Sequence, residues 1–237
     1  MILAWIALLI VPLVFGLYAQ YRVSRAYNKN LQIQSRGRIT GAEAAEAVMR
    51  AAGINGVEVV EVDGMLTDHY DPVNRRLALS SDNFRGTSLA ALGVSAHEAG
   101  HAIQDKEGYA MMRVRQTLVP AAQIAAPVAG FVMSFGLFMA FLIGSQFFGI
   151  LMLKLGIVAL LAIAIFQFVT LPVEFDASRR AKLQLVNLGI LDSDEIHGVN
   201  ETLDAAALTY VAALVTTIGQ LLYLVLQLMG SGGRRSD

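Results

Sequence analysis

The sequence predicts an α-rich integral membrane protein: about four transmembrane helices carrying a small α+β domain that faces the cytoplasm. Three observations lead there. The chain is 55% hydrophobic and only 16% charged, against about 25% charge in an ordinary soluble domain. Its apolar residues are gathered into blocks long enough to cross a bilayer. Between the blocks lies a polar stretch with capping, strand and turn signals. The net charge of −1 gives no electrostatic case for binding nucleic acid. The chain has no cysteine, so disulfides and thiolate ligands are excluded and any metal must be held by N and O donors.

The first block, residues 2–18, carries no charge and is just long enough to span. No basic stretch precedes it and no small-residue cleavage site follows, which favours an uncleaved helix (1–19) over a signal peptide. Arg22, Arg25 and Lys29 follow and place its C-terminal end in the cytoplasm.

Residues 20–116 read as the water-facing domain. Thr40 and Glu43 form a capping box ahead of an Ala-rich amphipathic helix that Gly53 ends. Val57 to Val62 alternates apolar and polar residues and reads as a strand. Asp63-Gly64 turns the chain into an extended segment with His69 and Tyr70, and Asp71-Pro72-Val73-Asn74 turns it again. Arg76 to Ser80 reads as a third strand, expected to form a sheet edge on which an extended peptide could add by main-chain hydrogen bonds. A helix capped near Thr87-Ser88 then runs to about Lys106, with Gly108 ending it.

Residues 117–171 hold one basic residue, Lys154, and no acidic one. The length suits two spans joined near Gly144-Ser145-Gln146. Two spans return the chain to the side it left, so 172–204, with Arg179, Arg180 and Lys182, is read as cytoplasmic helices. Pro172 is expected in a helix's first turn, Gly189 past its end, and Asp192 to Glu195 as a second capping box. Residues 205–230 form a last span and 231–237 a polar tail. The tail's Arg234 and Arg235 then fall outside, against the charge rule.

Inside the polar domain stands His97-Glu98-Ala99-Gly100-His101. On a helix, positions i and i+4 point the same way, so His97 and His101 can hold one Zn²⁺, while Glu98 can reach the attacking water as general base. The domain thus reads as zincin-like. A catalytic zinc needs a third protein ligand. His69, His197, Glu174 and Asp176 are the residues at hand, and the hairpin through the membrane delivers Glu174 to the same side as His97.

The motif at 97–101, followed after two spans by Pro172-Val173-Glu174-Phe175-Asp176-Ala177-Ser178, resembles the bacterial membrane neutral zinc metallopeptidases of YugP type. Asp68 to Pro72 and Ala205 to Tyr210 fit that family too, so the resemblance covers nearly the whole chain. It is similar, more distantly, to the HtpX proteases and CAAX endopeptidases, whose third ligand is the Glu of a Glu-x-x-Ala-Asp pattern. Here the Glu and the Ala stand at 174 and 177, but Ser178 replaces the Asp that orients a ligand histidine. Asp176 is the candidate substitute.

The resemblance implies a zinc-dependent metalloendopeptidase with metal ligands His97, His101 and Glu174 and the general base Glu98. It also implies an integral protein of the bacterial cell membrane with its active site facing the cytoplasm. Substrates would be proteins or peptides, such as membrane proteins or unfolded segments near the lipid bilayer; partner proteins are unspecified. His197, Tyr210, Arg179 and Arg180 are candidates for the oxyanion donor. The rival reading is a zinc-binding membrane adaptor or pseudo-protease that presents substrates, which would want a closed site with His69 or Asp176 as a fourth ligand.

Overall fold

The computed structural model describes residues 2–65 and 67–232. The helices are α1 (Ile2–Leu31), α2 (Gly41–Ala51), α3 (Ser81–Phe84), α4 (Leu89–Glu107), α5 (Ala110–Phe131), α6 (Leu137–Ile143), α7 (Gln146–Asn187) and α8 (Ile196–Gly232). Three strands, β1 (Glu58–Val62), β2 (His69–Asp71) and β3 (Arg76–Ser80), form one small sheet. The chain divides into two compact units, one made of Ala19–Arg113 with Leu171–Thr209, the other of the remaining described residues.

In the first unit the ends of α2 and α4 have local causes. Thr40 Oγ1 accepts from Glu43 N while Glu43 returns a bond to Thr40 N (2.7 Å), a reciprocal cap worth about 1 kcal/mol. Ser88 Oγ accepts from Ala91 N at the start of α4, and Gly108, at φ 65°, ends it. That left-handed geometry suits glycine because a Cβ would crowd it.

The sheet order is β1-β3-β2, with β1 parallel and β2 antiparallel to β3. The expectation that Leu77 to Ser80 forms an edge therefore fails. β3 is the central strand, and Leu77, Ala78, Leu79 and Ser80 are all buried, as a strand covered on both faces must be. The edges are β1 and β2. The core beneath joins Val48 and Met49 of α2, Leu77 and Leu79, Leu92, Ala96 and Ile103 of α4, Leu185 of α7 and Val199 of α8.

In the other unit, Ala125 and Ala129 of α5, Leu153, Ala159 and Leu160 of α7 and Leu224 of α8 pack as an apolar cluster. A Cβ on Gly156 would sit 2.8 Å from Leu224 and 3.0 Å from Val132. Small residues at such seams let apolar helices approach closely. Phe141, Phe147 and Phe168 point outward, each at least 70% exposed. A π-helical turn at Val132–Gly136 links α5 to α6, and Gly144, at φ 64°, turns the chain into α7. Among the described residues, four helices are long and apolar enough to cross a membrane: Ala7–Leu31, Ala110–Ile143, Gln146–Asn187 and Ile196–Gly230.

Three local expectations change. Pro172 does not open a helix but lies inside α7. It removes one backbone donor, a loss membrane helices tolerate when other groups satisfy the freed carbonyl. The helix that carries 205–230 begins earlier than that block, since α8 starts at Ile196. Only half of the second capping box forms: Glu195 accepts from Asp192 N, but the Asp192 carboxylate is taken by Arg36 (2.7 Å). Gly189, at φ 63°, does follow the end of α7. The tail bearing Arg234 and Arg235 lies outside the described residues.

Leu92 is fully buried, so Leu92→Ala should cost about 2–5 kcal/mol of stability. Denaturant unfolding in detergent measures this, and a loss below about 1 kcal/mol would mean that α4 is not packed as described.

Candidate metal centre

Helix α4 brings His97 and His101 to one face, and their rings meet edge to face with centroids 4.8 Å apart. Helix α7 lays Glu174 against them. His97 Nε2 lies 3.2 Å and His101 Nε2 3.6 Å from Glu174 Oε2. The two helices can come this close because residue 100 is glycine. A Cβ there would lie 2.6 Å from the Ala177 carbonyl oxygen and 3.2 Å from Ala177 Cα. Backbone cannot yield to such a contact as a side chain would.

All three groups are largely removed from water, with Glu174 2% and His101 5% exposed. Burial pushes the Glu174 carboxyl up, but hydrogen bonds and charge from His101 and His97 outweigh it and hold the group well below the usual range. For His101, burial lowers proton affinity, yet Glu174, Glu98 and Gln104 together leave it raised. Two carboxylates around two rings in a dry site make a place that seeks positive charge.

Each ring's far nitrogen is held. His97 Nδ1 is 3.1 Å from Ser178 Oγ, and His101 Nδ1 is 3.0 Å from Gln104 Oε1. With Nδ1 so engaged, both Nε2 atoms turn toward Glu174. Asp176 does not touch a ring, contrary to the role expected for it. Its carboxylate accepts from Gln104 Nε2 (3.0 Å) and is gripped by Arg179 and Arg180, while Arg180 also reaches Glu107 Oε2 (2.7 Å). Burial would raise the Asp176 carboxyl, but these donors lower it. Ser178, read from sequence as a gap in the pattern, makes a ring contact itself. The sequence pattern assigns no role to Gly100, inside the motif, or to Gln104, one turn past it.

Other residues of interest lie elsewhere. His69 is exposed, with Nδ1 2.8 Å from the Thr67 carbonyl. His197 lines a cavity of about 320 Å³ with Lys29, Asn30 and Glu201. Arg179 and Arg180 are committed to Asp176 and Glu107. Glu98 is 8% exposed and stands close enough to His101 to raise its proton affinity. Among the described residues, one cluster has the donors for a metal ion: His97, His101 and Glu174, whose ligand atoms lie within 4.8 Å of one another.

A family model described as "Putative neutral zinc metallopeptidase" matches residues 5–229. The chain belongs to that family. It is 38% identical over 222 residues to "Putative membrane protease YugP" of Bacillus subtilis (strain 168), covering 94% of this chain and 95% of that protein. No solved structure matches it. As a member of the neutral zinc metallopeptidase family with four helices fit to cross a membrane, it is a membrane protein whose cofactor is zinc.

The donor set fits that ion. Zinc–nitrogen and zinc–oxygen bonds of about 2.0–2.2 Å in a tetrahedron set ligand atoms roughly 3.3–3.5 Å apart. The nitrogen-to-carboxylate separations of 3.2 and 3.6 Å bracket that spacing.

Gly100→Ala should wedge α4 from α7, costing about 1–3 kcal/mol of stability and lowering zinc affinity. Competition with a chromophoric chelator checks it, and unaltered affinity in a folded variant would show that the close approach is dispensable.

Proposed function

We propose that this chain is a zinc metalloendopeptidase of the gluzincin type, with a zincin-like catalytic domain. His97, His101 and Glu174 would be its metal ligands and Glu98 its general base. It would cut peptide bonds of membrane proteins or unfolded segments at the cytoplasmic surface of a bacterial cell membrane. The observation that carries the reading is the meeting of Glu174, from a helix 77 residues further along the chain, with both rings of the His97–His101 pair.

Bound zinc supplies Lewis acidity and brings the pKa of water down to about 7. The chain's own residues do the rest. Ser178 and Gln104 hold the rings so that both Nε2 atoms converge with Glu174 Oε2. Glu98, the residue next to His97, has no hydrogen bond to another described side chain, so its carboxylate is available to the attacking water. It takes one proton as the water's oxygen bonds to the peptide carbon, and gives it to the amide nitrogen as the C–N bond breaks. Three protein donors rather than four favour an open catalytic site over a closed structural one. Asp176 and His69, the candidates for a fourth, are engaged elsewhere.

The cytoplasmic placement rests on charge. Arg22, Arg25 and Lys29 follow the first apolar block, and Arg179, Arg180 and Lys182 follow the third, as the positive-inside rule requires. Glu174 directly follows the uncharged run of residues 155–173, which favours action near the membrane surface.

The purified full chain should degrade a denatured protein, lose activity to a chelator and recover it with zinc. Glu98→Gln should keep zinc yet slow cleavage by at least about 10²-fold, and full activity in that variant would end the general-base assignment. Glu174→Ala should lose zinc by elemental analysis; stoichiometric metal would remove it from the ligand set. Orientation can be read on a clean background, because the chain has no cysteine. A Val73→Cys variant, at a position 88% exposed, should react with a membrane-impermeant maleimide only after cells are opened. Labelling of intact cells would invert the topology.

A further inference from the structure

We infer that Gln104 is a positioning residue that fixes the tautomer and aim of His101, so that Nδ1 carries the proton and Nε2 is presented beside Glu174. The inference rests on the proposal that His101 is a metal ligand and extends it to a residue outside the motif.

The argument is one of donor bookkeeping. A glutamine amide has one acceptor end and one donor end, and which end faces a histidine must be read from its other partners. Gln104 is fully buried. Its Nε2 faces the Val173 carbonyl at 2.8 Å and an Asp176 carboxylate oxygen at 3.0 Å. Both of those groups only accept. Turned the other way, the amide oxygen would face two acceptors in a site closed to water, so the orientation is forced. Oε1 must then lie toward His101 Nδ1, at 3.0 Å. An oxygen there can only accept, so Nδ1 must donate. A neutral ring with its proton on Nδ1 has its lone pair on Nε2, the atom 3.6 Å from Glu174. Asp176 is held in turn by Arg179 and by Arg180, which is anchored to Glu107. A chain of contacts thus runs from an ion pair to one ring nitrogen.

His97 is treated differently. Its Nδ1 meets the Ser178 hydroxyl, which can donate or accept and so imposes no tautomer. Of the two rings, only His101 has its proton dictated from outside.

The test uses the full chain in detergent, with zinc affinity measured by chelator competition and the ligand field read from cobalt(II) absorption. Gln104→Met keeps the shape and removes both amide ends. It should weaken zinc binding by about 10–100-fold and alter the cobalt spectrum, in a metal-free chain that still unfolds in one cooperative transition. Gln104→Glu keeps an acceptor for Nδ1 but sets a carboxylate against Asp176, and should weaken binding relative to wild type. Adding Asp176→Asn restores a donor at the 176 end and should recover binding to within about tenfold of wild type. Wild-type affinity and spectrum in Gln104→Met would overturn the inference, as would a double variant no better than Gln104→Glu. Should these variants fail to fold, ¹⁵N-histidine spectra of the wild type decide: a proton on Nδ1 of His101 is expected, and a ring protonated on Nε2 with Nδ1 bare overturns the inference. His101→Ala separates the two levels. If it keeps zinc, the ligand proposal itself fails; if it loses zinc while Gln104→Met binds normally, only the role of Gln104 fails.

Discussion

The rest of the unit that holds the candidate metal centre depends on one buried carboxylate. Glu174, 2% exposed, lies between two imidazoles of another helix, with no more than 3.6 Å between its Oε2 and either Nε2. Removing an ion from water costs several kcal/mol even after the protein relaxes, so this group must be compensated where it stands. A proton shared with the rings does so in part, and a divalent cation does so more fully. The pair Glu174 and Glu98, set around two imidazoles, makes the cluster attractive to a cation.

That requirement governs the backbone. Two helices bring side chains of this size together only if their axes approach closely, and the contact of residue 100 with Ala177 sets how closely. Ala96, Ala99, Ala177 and Ala181, all fully buried, extend a seam of small residues beside it. Larger side chains are kept to the flanks, where Leu92, Leu185 and Val199 close the core. Close packing of this kind responds to even one added carbon, which is why a single Cβ at position 100 would be felt at the ring nitrogens.

How much of this could be read from sequence depended on the range of each determinant. The His97–His101 pair was legible because i, i+4 spacing is a local property of a helix. The caps at Thr40 and Ser88 and the stops at Gly53 and Gly108 were legible for the same reason. Glu174 was reachable only because two apolar blocks imply a return to the same side and because the surrounding pattern resembles a known family. The order of the strands was not legible. Val57 to Val62 is built of valine and glutamate and Arg76 to Ser80 carries leucine and alanine, yet nothing local says that the later strand inserts between the two earlier ones. Pro172 misled because its preference for a helix's first turn is statistical, whereas α7 continues through it. Gln104 was invisible: a lone glutamine past a motif has no signal until its partners on α7 are known.

The departure at position 178 shows why the surroundings of a metal site have to be read as a network. A carboxylate on a ligand histidine does two things: it fixes the ring, and it adds negative charge behind the donor nitrogen. Here the tasks are divided. Ser178 and Gln104 fix the rings without adding charge, and the nearest extra carboxylate, Asp176, stands one hydrogen bond further out and is offset by Arg179 and Arg180. With neutral partners behind both rings, the negative charge closest to the metal position comes from Glu174 and Glu98 alone. Less charge donated through the rings would leave a bound cation a stronger Lewis acid, at some cost in affinity. Substituting serine for aspartate therefore does not disable such a site. It moves the balance from holding the ion toward polarising what the ion touches.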